Sequence, residues 1–298
     1  MLISKIGEFG LIERFRKLIK LDASVIKGSG DDCAVIKFDR DNYLLLTCDM
    51  IVEGVDFTSR TDPILIGRKA VAISISDIAA CGGTPRYLLA SLAINRKTPV
   101  NYAERIMQGM LSLAKKYKIN IVGGDLSRAE KVVLDVSMLG RVKKKDLVLR
   151  SGAKIGDIIF VTGTLGGSIL GKHLKFTPRL KEAHFLVKNF SPSAMIDISD
   201  GLAQDLGHIL KQSNIGARLY ADLIPQSACA KNLADALYSG EDFELLFTLA
   251  PRQAKKLLAK NLAIFQPIGE IIDKKYGLRL VEKNDREITL AQEGFRHF

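Results

Sequence analysis

Residues 28 to 35 read GSGDDCAV, so two aspartates, Asp31 and Asp32, follow a Gly-Ser-Gly stretch with no Lys or Arg between them. Adjacent carboxylates repel unless something cationic lies near. Other acids fall at marked positions too. Asp49 comes near the end of the apolar run YLLLTCDM (43–50), Asp125 follows Gly123-Gly124 after INIV, and Asp197 and Asp200 bracket the end of AMIDIS (194–199). Asp77 sits in a helical stretch that is apolar around it, among Val71, Ile73, Ile75, Ile78, Ala79 and Ala80. A carboxylate in the C-terminal half of a helix opposes the helix dipole, and burying it unpaired costs several kcal/mol.

Each acid alone has a plain structural use as a cap or turn residue. Together they imply more. Several acids converging without matching bases need a cation, and an all-oxygen donor set selects a hard one, magnesium or calcium. Magnesium held by a few carboxylates usually carries phosphate. The glycines at 28–30, 123–124 and 166–167 leave room for phosphate oxygens to approach the backbone. The expectation is that the Asp31-Asp32 pair faces a metal ion.

The elements that must position these acids can be read from the pattern. YLLLTCDM is a strand ending at its aspartate. Residues 62–83 are a helix with Asp62 as N-cap, Pro63 in the first turn and Gly82-Gly83 as the stop. Strands follow at 86–94, INIV and 131–142, with a helix from Thr98-Pro99 to Tyr117 and a turn at Gly123-Gly124-Asp125. The second half has strands at 157–163, 194–199, 217–223, 243–249 and 263–271, and helices at 201–213, 228–238 and 251–261. Strands and helices alternate on both sides of a break at 143–150. The expected fold is therefore two α/β domains (α/β or α+β in class), spanning 1–142 and 150–298. Ligand sites in such sheets gather at strand ends.

Composition narrows the classes. Of 298 residues, 47% are hydrophobic and 26% charged, as in an ordinary globular protein. No apolar stretch is long enough to span a bilayer, and MLISKIGEFGLIERF lacks the pattern of a signal peptide. Cys33, Cys48, Cys81 and Cys229 show no CxxC spacing and sit in apolar stretches, so they are expected as buried reduced thiols of a cytoplasmic protein. The net charge of +11 fits a nucleic-acid binder or an enzyme of phosphorylated anions. The densest basic run, RVKKKDLVLR (141–150), reads as a solvated connector. GGSILGKH (166–173) nearly matches a phosphate loop, but His173 stands where the magnesium-binding Ser or Thr belongs. The histidines at 173, 184, 208 and 297 are scattered and are expected on the surface or in packing.

In GEFGLI, GSGDDCAV, TCDMIVEGVDF, AVAISISDIAACGGTP, IVGGDLSR, RSGAKIGDIIFVTGTLGGS, IDISDGLAQDLGHI, SGEDFELLF and the terminal GFRHF, the chain resembles the thiamine-monophosphate kinase family. That family belongs to the superfamily of aminoimidazole ribonucleotide synthetase and selenophosphate synthetase. The resemblance runs along nearly the whole chain in order. It implies an N-terminal domain whose sheet pairs with that of a second subunit in a homodimer, and a C-terminal domain covering a cleft. The activity implied is transfer of the γ-phosphoryl of ATP to thiamine monophosphate, direct and in line, with several Mg2+ ions and no nucleic-acid or membrane partner.

Carried over position by position, the resemblance puts metal-binding roles on Asp32, Thr47, Cys48, Asp49, Asp77, Asp125, Asp197 and Asp200. Nucleotide contacts fall on Gly124, Asp125, Arg150 and Ser199, and acceptor contacts on Asp56, Glu241 and Phe295. Asp77, Asp125 and Arg150 are the expected catalytic residues, with Arg150 stabilising polyphosphate charge. Relatives carry a histidine where Asp56 stands, often Trp or Tyr at Phe295, often Thr at Cys48, and a longer segment around 171–175. Alternatives are another enzyme of the superfamily, a basic nucleic-acid-binding protein and an inactive relative serving as scaffold. Selenophosphate synthetase needs a reactive Cys and Lys in an N-terminal glycine-rich segment, and no Cys precedes Asp31 here.

Overall fold

The computed structural model describes residues 2–295. The N-terminal half contains α1 (Ile3–Leu18), β1 (Val25–Lys27), β2 (Ala34–Lys37), β3 (Asn42–Val52), α2 (Pro63–Ala80), β4 (Thr84–Ile94), α3 (Val100–Tyr117), β5 (Asn120–Arg128) and β6 (Val133–Lys143). Asp62 caps α2 by accepting from Ile64 N, and Pro63 occupies its first turn. Gly82, at φ 71, turns the chain out of the helix into the left-handed region. The six strands form one sheet in the order β1-β2-β3-β6-β4-β5, antiparallel except between β4 and β5.

The second half contains β7 (Ile158–Thr162), α4 (Lys172–Lys175), α5 (Leu180–Asn189), β8 (Ala194–Asp197), α6 (Leu202–Ser213), β9 (Gly216–Tyr220), α7 (Leu233–Tyr238), β10 (Leu245–Leu249), α8 (Pro251–Leu258), β11 (Phe265–Ile272), β12 (Leu278–Val281) and β13 (Glu287–Thr289). Its seven strands are ordered β13-β12-β9-β11-β7-β10-β8, with β12 and β9 the parallel pair. Both sheets are thus mixed and mostly antiparallel. Several elements lacked a clear sequence pattern: α1, β1, β2, α4, α5, β12 and β13. Helix α7 begins at Leu233 rather than 228, and the helix expected to reach 261 stops at Leu258.

Helix α2 positions the site. Between Ala70 and Ala80 every residue except Asp77 is buried, as expected of a helix that is apolar all round. It packs on β3 and β6 of the first sheet and also touches β8, α4 and α5 of the second half. Alternation along the second sheet explains how. Phe160, Met195, Leu245 and Phe247 face the core that contains α2, whereas Ile159, Val161, Ile196 and Leu246 face a second core under α6. Asp197 is two residues beyond Met195 and opposite Leu245, so it points toward α2.

Several turn expectations change. Asp49 lies inside β3, which continues to Val52, and does not end the strand. Gly123, Gly124 and Asp125 lie within β5 and form no turn. A Cβ at Gly124 would fall 1.7 Å from Ala90 O, so this glycine lets two strands approach. At Gly167 a Cβ would meet Cys229, and at Gly28 it would meet Leu21; neither position faces open space for a phosphate.

Candidate functional site

Three carboxylates from separate parts of the chain converge: Asp32 from the loop before β2, Asp77 from α2 and Asp197 from the end of β8. One oxygen of each lies within 4.8 Å of the others. Hydroxyls orient the group. Ser76 Oγ donates to Asp197 Oδ2 at 2.6 Å, Ser74 Oγ donates to Asp49 Oδ2 at 2.8 Å, and Thr47 Oγ1 donates to Asp77 Oδ2. Thr47 and Asp49 are two apart on β3, so both face α2.

Crowding and burial hold these acids toward their neutral forms. Burial, then the charge of Asp32, raises the pKa of Asp197 to about 7 against the opposing effects of Ser76 and Arg150. Asp49 is raised to about 6, by burial first and then by Asp135 and Asp32. Asp77 is pushed well above the usual range by burial, then by Asp49, Asp197 and Asp32. Among the described residues the base against the cluster is Arg150, whose Nη2 and Nε donate to Asp32 Oδ1 at 2.6 and 3.2 Å. Asp32 Oδ2 is buried and has no hydrogen-bond partner among the described residues.

The paired aspartates therefore differ. Asp31 turns to the main-chain N–H of Arg150 and to Lys27 Nζ, 3.5 Å away, and holds the loop. Asp32 joins Asp77 and Asp197 in the cluster. Asp31 and Asp32 stay close, with a carboxylate oxygen of each within 4.8 Å of the other and of Cys81 Sγ, and Arg150 and Lys27 offset the charge they bring together.

Strand alternation separates two further candidates from the cluster. Cys48 lies between Thr47 and Asp49, so its thiol is on the opposite face, where Sγ meets Asp135 Oδ2 at 3.1 Å. Its thiol is exposed, as is that of Cys229, while Cys33 and Cys81 are buried. Asp125 shares a row with Ser91, Asp135 and Met50 across β5, β4, β6 and β3. That row is on the face away from α2, so within one chain neither the Cys48 thiol nor Asp125 joins Asp32, Asp77 and Asp197. Gly124 is its neighbour on the same strand.

Beside the cluster lies a cavity of roughly 490 Å³ lined by Asp49, Asp56, Lys69, Ser199, Asp200, Glu241, Phe243 and Phe295, among others. A volume of this order suits a small organic ligand. All three residues expected to touch an acceptor, Asp56, Glu241 and Phe295, are here. The Asp56 carboxylate already accepts from Val52 N at 2.7 Å, which fixes its loop. Phe295 N donates to Asp200 O at 2.9 Å. Asp205 organises the loop below by accepting from the main-chain N–H groups of Ser199, Asp200 and Gly201. Sequence reasoning passed over Asp205, Ser74, Ser76 and Lys69. The polar residues within the apolar run KAVAISISD were the available signal.

The near-match to a phosphate loop is a different structure. Residues Ser168–Leu170 form a short 3-10 turn, and Lys172 is held by Thr164 O and Glu244. His173 is buried on Ser168 O, His184 bonds Gly83 O and His208 packs against Phe9; His297 lies outside the described residues. No helix among the described residues is long and apolar enough to cross a membrane.

Sequence models of the AIR synthase related protein N-terminal and C-terminal domains match residues 30–142 and 154–281. A thiamine-monophosphate kinase of Rhodopirellula baltica is 40% identical over 92% of this chain and 92% of its own. One from Buchnera aphidicola subsp. Schizaphis graminum is 36% identical over 98% and 99%. Among solved structures, one described as AaThiL complexed with AMPPCP and TMP superposes with a TM-score of 0.88 at 29% identity, covering 100% of this chain and 99% of that one. The thiamine monophosphate kinase of Aquifex aeolicus gives a TM-score of 0.81 at 27% identity over 97% and 100%.

Proposed function

The chain belongs to the thiamine-monophosphate kinase family of AIR synthase related proteins, and we propose that it transfers the γ-phosphoryl group of ATP to thiamine monophosphate, giving thiamine diphosphate and ADP. The observation that carries the reading is the place of Asp49. Its carboxylate accepts from Ser74, two residues along α2 from the Ser76 that holds Asp197, and it also lines the cavity that holds Asp56, Glu241 and Phe295. A metal site and an acceptor site thus share a wall.

The donor set fits Mg2+. It is all oxygen, Asp32 has a buried oxygen without a partner, and the acids outnumber the bases. Asp32, Asp49, Asp77 and Asp197 would hold the ions, with Asp200 at the cavity side. When bound, Mg2+ would neutralise the phosphate oxygens of two mutually repelling substrates. Thr47, Ser74 and Ser76 keep the carboxylates aimed by donating to them, and Arg150 fixes Asp32 from behind while its charge offsets part of the acid excess. A phosphate-monoester oxygen is anionic near neutral pH, so the acceptor needs no general base. Catalysis is then mainly positioning and charge neutralisation.

Gly124, Asp125 and Ser199 complete the reading as nucleotide contacts. Asp125 would serve from the open sheet face, and a second copy of the chain covers that face in a homodimer. Exposed Leu46, Met50, Tyr87, Leu89 and Val122 give that face an apolar surface, with a concavity of roughly 450 Å³. In this reading residues 1–142 supply the metal and dimer surfaces and residues 150–298 close the cavity. A cytoplasmic location goes with it, where ATP is supplied and thiols stay reduced.

The test is incubation with Mg-ATP and thiamine monophosphate, followed by chromatography for thiamine diphosphate and ADP. Equal amounts of both products, absent without magnesium, are expected. ATP consumption with no thiamine diphosphate would reject the assignment, and aminoimidazole ribonucleotide synthetase substrates are the comparison arm.

A further inference from the structure

Lys69 is the largest polar exception in α2, with 0% exposure. A lysine ammonium removed from water persists only where acceptors meet it. Two do: Nζ donates to the main-chain oxygen of Asp56 at 2.9 Å and to Glu241 Oε1. One buried side chain therefore ties the first sheet's helix to the two loops that line the acceptor cavity.

The loop it holds is conformationally costly. Gly240, Glu241 and Phe243 have φ values of 68, 55 and 50. Side-chain-bearing residues rarely enter this left-handed region unless their surroundings impose it. Two main-chain bonds, Glu241 N to Ser199 O and Phe243 N to Ile198 O, fix the backbone. The Glu241 side chain is fixed by Lys69. With Oε1 taken, Oε2 is left buried without a hydrogen-bond partner among the described residues. Among the described residues Lys69 is also the only base lining this cavity, against the acids Asp49, Asp56, Asp200 and Glu241.

We propose that Lys69 is a positioning residue that sets acceptor specificity: by holding Glu241 Oε1 and the Asp56 carbonyl, it leaves the buried, unpaired Oε2 as the acceptor for an N–H donor on an organic cation. The class of ligand follows from the chemistry. An unsatisfied carboxylate oxygen in an acid-rich cavity favours a cationic heterocycle bearing an amino group, and disfavours a neutral or purely anionic acceptor. This inference rests on the acceptor assignment above, which has the aminopyrimidine and thiazolium rings of thiamine enter this cavity.

The experiment compares Lys69→Met, Glu241→Gln and the double variant. In Lys69→Met the KM for thiamine monophosphate should rise by about 10- to 100-fold, with the KM for ATP and kcat changed by about twofold or less. The double variant should match Glu241→Gln alone, because Lys69 acts through Glu241. Unchanged acceptor KM, equal rises in both KM values, or additive effects in the double variant would each overturn the proposal. Amide hydrogen exchange supplies a readout independent of substrate: residues 239–243 should exchange faster in Lys69→Met, and unchanged exchange refutes the positioning role. If wild-type protein does not turn over thiamine monophosphate, the acceptor assignment and its specificity claim fall together, while exchange still decides whether Lys69 holds the loop. Should Lys69→Met not fold, Glu241→Gln cuts the same tie from the other side, and slow exchange with unchanged acceptor KM there is the refuting result.

Discussion

Ser76 Oγ donates to Asp197 Oδ2 at 2.6 Å, joining the helix of the first sheet to the edge strand β8 of the second across 121 positions of sequence. Both groups are buried, so removing the donor strands an acceptor in a place water does not reach. Ser76→Ala is expected to lower stability by about 1–3 kcal/mol, measured by denaturant unfolding. It should also raise the magnesium concentration needed for half-maximal rate, because Asp197 loses the bond that favours its charged form.

Asp77→Asn removes a charge from the centre of the cluster while keeping its shape. Turnover should fall by at least about 10²-fold, since a ligand of the Mg2+ that would neutralise phosphate charge is lost. The fold should persist. Burial and three neighbouring carboxylates oppose the charge on Asp77, so thermal unfolding without metal is expected to be unchanged or shifted upward. Wild-type rates would remove the metal-cluster reading.

The cluster also sets a pH dependence. Asp49 at about 6 and Asp197 at about 7 stand above the unfolded value of 3.8. Between these limits the folded chain binds more protons than the unfolded one, so their contribution to stability is present at low pH and lost as pH rises. His208 acts the other way: burial lowers it from 6.5 to about 4, so its contribution falls as pH drops through that window. The comparison is therefore with Asp197→Asn. In EDTA the wild type should lose more stability than this variant between about pH 5 and about pH 8, by about 2 °C or more in Tm. Magnesium at the higher pH should recover it.

Helices α2 and α3 meet backbone to backbone. A Cβ at Gly67 would lie 1.9 Å from Ile106 O, and one at Gly109 would lie 2.0 Å from Ile64 O. Either glycine replaced by alanine must push the helices apart, although alanine is the better helix former by about 1 kcal/mol. A net loss of about 1–3 kcal/mol is expected for each single variant. A gain in stability would show that the contact relaxes freely.

The open sheet face should bind a second copy. Leu89→Asp places a charge in its apolar concavity, away from the α2 face. Light scattering after gel filtration should report a dimer for the wild type and a monomer for the variant, with the same circular dichroism. A wild-type monomer at micromolar concentration would reject the pairing.

Much of the frame could be read from residue order. The Asp62-Pro63 start and the Gly82-Gly83 stop delimit α2 because caps and left-handed turns are local chemistry. The apolar surroundings of Asp77 marked it as an acid needing partners. Less could be read about the sheets. Alternation of strands and helices suggested α/β units, yet the strands are mainly antiparallel, because pairing is set by long-range contacts that no short window contains. The placing of Asp125 relative to Asp49 was illegible for a related reason. Both are acids in apolar strands, and only the register across β3, β6, β4 and β5 puts them on opposite faces.

By itself, the sequence determined which groups the chain has to place: an excess of carboxylates within apolar segments, which a hard cation satisfies most simply. The tertiary structure alone decided which carboxylates meet. Asp32, Asp77 and Asp197 share one space because α2 is packed between two sheets, and side-chain direction on a strand reverses at every residue. Lys69 took on meaning only in that packing, where a buried ammonium found Glu241 from the other half of the chain.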